Sequence, residues 1–118
     1  MSPASTWHSY PPACKAAWDQ ATGRLYEHGY APLRCPCCQE GVLRIYWNAH
    51  FHDLLPDGQR RRRGGGWMWC PACHSCDHWS GMVPAWWPAE RIVPEQELLG
   101  TPQGIDERWA EILQLIAR

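Results

Sequence analysis

A chain of 118 residues with a formal charge of −1 makes one domain, and its balance argues against a broad electrostatic attraction to nucleic acid. Leu, Ile and Val number only 17 against nine Trp, so the core must be built from a few large rings and needs a staple. The start, Met1 to Trp7, lacks the basic and apolar stretches of a signal peptide, and no run approaches the ~20 apolar residues of a membrane span. A reducing, cytoplasmic setting is therefore expected, where seven cysteines read as metal ligands more readily than as disulfides.

Residues 1–13 carry three prolines and read as a flexible lead-in to a single domain over 14–118. From Cys14 to Glu27 the pattern is weakly helical, with Ala17, Trp18, Ala21 and Leu25 on one face; Gly23 weakens it and Gly29 is placed to end it. Gly41 to Trp47 reads as a strand with Leu43, Ile45 and Trp47 on one face. The polar stretch 48–66 contains Pro56-Asp57-Gly58 and ends in three glycines, which predicts a long mobile hairpin loop. Trp67-Met68-Trp69 is a second short strand, and His78 to Val83 a third, stopped by Pro84. Residues 84–102 look irregular, with one helical turn around 95–99. Over 104–117 the spacing of Ile105, Trp109, Ile112, Leu113 and Ile116 predicts a helix that buries one stripe, with Asp106 and Glu107 near the positive end of its dipole.

The strongest motif is a repeated Cys-Pro-x-Cys: Cys35-Pro36-Cys37-Cys38 and Cys70-Pro71-Ala72-Cys73. A Cys-x-x-Cys turn points two sulfurs at one ion while its amides turn toward the thiolates, and two such turns supply a tetrahedral sulfur set. Cys76 offers a competing second pair, Cys73/Cys76, but Trp69 and Pro71 repeat the strand-then-proline setting of the first pair and favour Cys70/Cys73. Cys37 and Cys14 are read as ordinary buried or exposed thiols. A further site from His74, Cys76 and His78 is weighed against ordinary packing roles, which scattered histidines more often have. A thioredoxin-like redox pair wants a following helix, whereas Gly41 and an aromatic strand follow the first pair here.

On these residues the chain resembles the zinc-ribbon family, from about Arg34 to Met82. The run from Trp67 to Cys73, continued by His78-Trp79-Ser80-Gly81, is similar to small uncharacterised actinobacterial zinc-ribbon proteins. The resemblance implies a ribbon core over 34–83, with Cys35, Cys38, Cys70 and Cys73 holding one structural Zn2+. The implied fold is a small α+β one: two to three antiparallel strands, a C-terminal packing helix and a candidate N-terminal helix. Four thiolates and one divalent ion would take the formal charge from −1 to −3.

Zinc ribbons serve many roles, so function must be sought on surfaces. Trp86-Trp87, between Pro84 and Pro88, is read as either a protein-recognition surface or a lid over the ribbon. Arg60, Arg61, Arg62 and Arg63 on a flexible loop are candidates to clamp phosphates, weighed against a solvated loop tip. The reading ranked first is a non-enzymatic protein-interaction module, such as an adaptor or an immunity-type inhibitor, with a protein partner and no membrane. A nucleic-acid-binding ribbon using the arginine loop is second, and a structural subunit of a larger complex third. No catalytic residues are expected, because four cysteines close the metal's coordination sphere.

Overall fold

A computed structural model describes residues 7–54, 56–58, 60–88, 92–94, 98 and 100–117, with backbone alone for 50–54, 60 and 61. The chain forms β1 (His8–Ser9), a 3-10 turn (Pro12–Cys14), α1 (Lys15–His28), β2 (Arg44–Leu54), β3 (Arg60–Trp69), β4 (Ser75–Met82), α2 (Gln103–Glu107) and α3 (Trp109–Ile116). The fold is small α+β. Its sheet has the order β1-β4-β3-β2, with β2, β3 and β4 antiparallel and the two residues of β1 added parallel to β4.

The strands are longer than composition suggests. Residues 48–54 and 60–66 pair across β2 and β3 rather than forming a mobile loop, so the two strands run on to Leu54 and Arg60. The glycines explain the misreading. Opposite Trp47, a Cβ on Gly66 would stand 2.7 Å from that ring and 2.6 Å from Trp79, so the strand runs there only without a side chain. A register shift between Ala49 and Phe51 marks a bulge, and beyond it Arg60–Arg63 continue the ladder to Leu54.

Alternation divides the sheet into two packed faces. Ile45, Trp47, Gly66 and Met68 share one face with Asp77 and Trp79 of β4, by register. This is the face that α1 covers: Tyr26 meets Trp47 edge-on at 5.6 Å, and Thr22 Oγ1 lies 3.7 Å from Met68 Sδ. Tyr46, Trp67 and Trp69 belong to the other face, where Trp87 meets Tyr46 edge-on at 5.5 Å and Trp109 meets Trp69 at 5.9 Å. With helix on one side and helix plus loop on the other, the β3 segment from Gly64 to Cys70 is buried throughout.

Helix α1 passes through Gly23, buries Trp18 and Leu25, and ends at Gly29, whose φ is 88°. Residues 7–13, expected to be loosely ordered, instead carry β1 and the 3-10 turn. Trp7 stacks on His74 at 4.3 Å, and the His8 amide donates to His74 O at 3.0 Å. The expected helical turn over 95–99 falls almost wholly outside the described residues. The C-terminal helix is present but broken at Arg108, which has φ −104° and ψ 12°. Across the break Ile105, Trp109 and Ile112 keep the helical spacing and reach the core, while Leu113 stays exposed.

Asp106 holds that break against the sheet. Its Oδ1 accepts from Arg44 at 2.6 Å and from the Trp69 indole at 2.7 Å, tying α2 to β2 and β3 at once. Arg44 also lies over the Trp109 ring, 5.5 Å from its centre. Both charged side chains are more than two-thirds buried. Asp106→Ala strands two donors and is expected to lower unfolding free energy by about 2–3 kcal/mol in chemical denaturation. Glu111→Ala, which breaks only the exposed pair with Arg108, is expected to leave the denaturation midpoint where it was.

Candidate metal centre

The two Cys-Pro-x-Cys segments occupy matching places, the first leading into β2 and the second joining β3 to β4. Each folds the same way. The Gln39 amide donates to Cys35 O at 2.9 Å, and the His74 amide to Cys70 O at 3.0 Å. Gln39 and His74 have φ of 65° and 64°, a region that non-glycine residues seldom adopt. An uncommon conformation at the same offset from each leading cysteine marks one local geometry used twice. The chain then returns alike: Cys35 N donates to Gly41 O at 2.8 Å, and Cys70 N to Ser75 O at 2.9 Å.

Within each turn the amides face sulfur. Cys37 N lies 3.4 Å from Cys35 Sγ, Ala72 N 3.4 Å from Cys70 Sγ, and Gly41 N 3.5 Å from Cys38 Sγ. Between the turns, Cys35 and Cys73 bring their sulfurs to 3.8 Å, and Cys38 and Cys70 to 3.6 Å. All four sulfurs lie within 4.8 Å of one another, a group that can hold a metal ion. Ser75 Oγ, 3.2 Å from Cys73 Sγ, adds a hydroxyl beside the set.

The electrostatics are uneven. Burial pushes the Cys70 thiol up to about 12 and raises that of Cys35, while the amides of Gly41 and Glu40 pull Cys38 down to about 7. Left to themselves, the buried sulfurs resist ionisation together. A divalent cation among them reverses that preference, because it favours all four thiolates at once.

Gly41 makes room for the approach of the second turn. A Cβ there would run into Cys70 Sγ and stand 2.9 Å from Ala72 Cβ.

The remaining candidates fall elsewhere. Cys76 sits in β4 opposite Trp69, half-buried and outside the sulfur group. His74 is stacked on Trp7, and His78 on Trp67 at 3.8 Å, so the grouping of His74, Cys76 and His78 is not assembled.

Two thiols read as unengaged are in fact joined. Cys14 and Cys37 form a disulfide, with Cα atoms 5.7 Å apart. Consecutive side chains diverge, so Cys37 points away from the sulfur set that Cys38 enters, toward the 3-10 turn that ends at Cys14.

Trp87 is 3 % exposed and belongs to the core, and Trp86 donates its indole N–H to Tyr26 O at 2.8 Å, so the pair forms a lid rather than an open surface. The arginine run is strand, not loop tip. Arg62 is bound internally, donating to the carbonyls of Pro84, Trp87 and Pro88 at 3.1, 2.7 and 3.0 Å, which pins the lid. Arg63 is exposed, and the side chains of Arg60 and Arg61 lie outside the described residues.

Sequence reasoning missed a cleft of about 450 Å³ between α1 and the sheet, walled by acidic and aromatic side chains including Asp19, Glu27, Asp77, Tyr26 and Trp79. Its signal was present in the spacing: Asp19, Gly23 and Glu27 recur every four residues, Asp77 and Trp79 every two.

No helix among the described residues is long and apolar enough to cross a membrane. Comparison with known proteins finds no matching family model, no matching curated protein and no matching solved structure.

Gly41→Ala is expected to abolish stoichiometric metal binding, read by metal analysis of the purified chain. Thiol titration of the denatured, chelated chain is expected to find five reactive cysteines before reduction and seven after it.

Proposed function

We propose that the chain is a zinc-stabilised, non-enzymatic protein-interaction module of the zinc-ribbon kind, with the role of an adaptor or an inhibitor of a partner protein. The observation that carries this reading is the self-contained set of four cysteine sulfurs. Zinc–thiolate bonds of about 2.3 Å imply tetrahedral edges of roughly 3.8 Å, close to the 3.8 and 3.6 Å separations across the two turns. Sulfur donors in a tetrahedral set suit zinc. With four protein ligands no position is left for a substrate, so the ion's work is to hold two turns together.

That role moves recognition onto the surface. The Trp86-Trp87 lid is largely spent on packing, and Arg62 on the carbonyls beneath it, which weakens the nucleic-acid reading of the arginine run. The acidic and aromatic cleft beside α1 is the surface whose chemistry remains open to a partner, and it repels phosphate rather than attracting it.

One zinc per chain is expected by metal analysis, and serine at any one of Cys35, Cys38, Cys70 or Cys73 is expected to cause loss of cooperative folding on circular dichroism. Affinity capture with the zinc-loaded chain, followed by nuclease treatment, tests the partner class. Retention of a protein through nuclease, and its loss from the Trp79→Ala variant, is expected; loss of every partner on nuclease treatment would return the reading to nucleic acid.

A further inference from the structure

The cleft is built by two periodicities that meet. Helix α1 turns Gly23, Tyr26 and Glu27 toward it, while β4 presents Asp77 and Trp79 from alternate positions, and Trp47 of β2 closes the inner wall. The three rings are mutually oriented: Trp47 meets Tyr26 at 5.6 Å and Trp79 at 5.3 Å, both edge-on. Among the described residues that line the space there is no lysine, arginine or histidine, although there are three carboxylates.

Those carboxylates are unequally satisfied. Asp19 pairs with Lys15 on the helix surface. Asp77 accepts only the neighbouring His78 amide, at 2.9 Å, among its described hydrogen bonds. Burial pushes the Asp77 carboxyl above its ordinary range, and the nearby Asp19 adds to the effect. Glu27 is exposed at the rim, with the imidazole of His28 3.7 Å from it. Lys15, held by Asp19, also acts on Asp77, so three carboxylates against that one lysine leave the lining net negative.

Two further features concern the interior. Gly23 faces open space, with no heavy atom within 4 Å of where its Cβ would stand. Glycine in mid-helix is unfavourable relative to almost any other residue, and here no close contact in the chain requires it. Trp47 is 2 % exposed, and its indole Nε1–H has no hydrogen-bond partner. A buried donor without an acceptor is uncommon and asks for an explanation.

We infer that this cleft receives an arginine side chain presented by a partner protein, with the guanidinium between the aromatic rings and the carboxylates. This rests on the protein-interaction reading and names the chemistry of its partner. A guanidinium is weakly hydrated, stacks on aromatic faces and offers donors matched to carboxylates, so it uses both kinds of wall. A quaternary ammonium would share the charge attraction but offers the carboxylates no hydrogen-bond donors. A cleft of about 450 Å³ falls in the ~300–1,000 Å³ range of small-ligand sites.

The test is isothermal titration of the zinc-loaded full chain with three probes: a capped peptide with one internal arginine, the same peptide with citrulline, and ethylguanidinium. The arginine peptide is expected to bind saturably, and citrulline, which keeps the shape but not the charge, about tenfold more weakly or not at all. Equal binding of the citrulline peptide overturns the role of charge. Ethylguanidinium matching the arginine peptide overturns a protein source in favour of a free small cation.

Variants fix the place. Glu27→Gln combined with Asp77→Asn is expected to weaken the arginine peptide by about tenfold. Gly23→Met fills the open space with a better helix former, so it is expected to fold at least as well, by circular dichroism and zinc content, yet lose binding. Undiminished binding in a folded Gly23→Met variant overturns the site. Absence of peptide binding alongside nuclease-resistant capture of a protein would fail this inference alone; peptide binding without any captured protein would fail the broader reading.

Discussion

Everything else in this chain hangs on the convergence of four sulfurs from two turns far apart in sequence. Cys35 and Cys38 stand at the entrance to β2, and Cys70 and Cys73 stand where β3 turns into β4. Bringing these turns within van der Waals reach fixes the register of three strands at one end of the sheet. Gly41 is the steric condition for that approach, since a side chain there would occupy the place of the Cys70 sulfur. Thiols as buried as Cys35 and Cys70 resist ionisation, and a cation among them would convert an unfavourable cluster into the staple that a core short of aliphatics lacks.

The rest of the core shows how rings substitute for aliphatic packing. Trp18, Trp47, Trp69 and Tyr46 are the largest fully buried side chains; the last three meet neighbours edge-on, while Trp18 stacks on Tyr10 at 5.0 Å. Rings bring polar atoms inside, which then need partners. Asp106 takes the Trp69 indole, Tyr26 O takes that of Trp86, and the Tyr46 hydroxyl accepts the Val93 amide. Arg62 does the same for three carbonyls of the lid. These contacts are directional, so they choose one packing among the many that large rings would otherwise allow. The indoles of Trp18 and Trp47 are exceptions, and Trp47 stands at the cleft.

Much of the metal centre was legible from the sequence because its determinants are local. A Cys-Pro-x-Cys turn presents two sulfurs whatever surrounds it, and two of them beside strands leave few other arrangements. Helix α1 and the stripe of the C-terminal helix were legible from periodicity for the same reason. The arginine and glycine stretch was not. Arg60 to Gly66 looks like a solvated loop because its residues have little preference for strands. It becomes strand because the partner segment 48–54 offers a ladder broken only by the bulge between Ala49 and Phe51, and because only glycine fits at 66 beneath Trp47 and Trp79. The bond between Cys14 and Cys37 was equally invisible, since it depends on where the first turn and the 3-10 turn meet in space.

The sequence by itself determined the sulfur ligands available to an ion, the two helices and the need for a staple. Those follow from residue type and short-range spacing, which physical chemistry reads without knowing the fold. Only the tertiary structure decided which surfaces are free. It turned Trp86 and Trp87 into a lid, spent Arg62 on backbone carbonyls, and opened a space beside Gly23 where helix and sheet do not quite meet. Burial and charge complementarity are properties of pairs of distant residues, and the chain's linear order holds no record of which pairs will face each other.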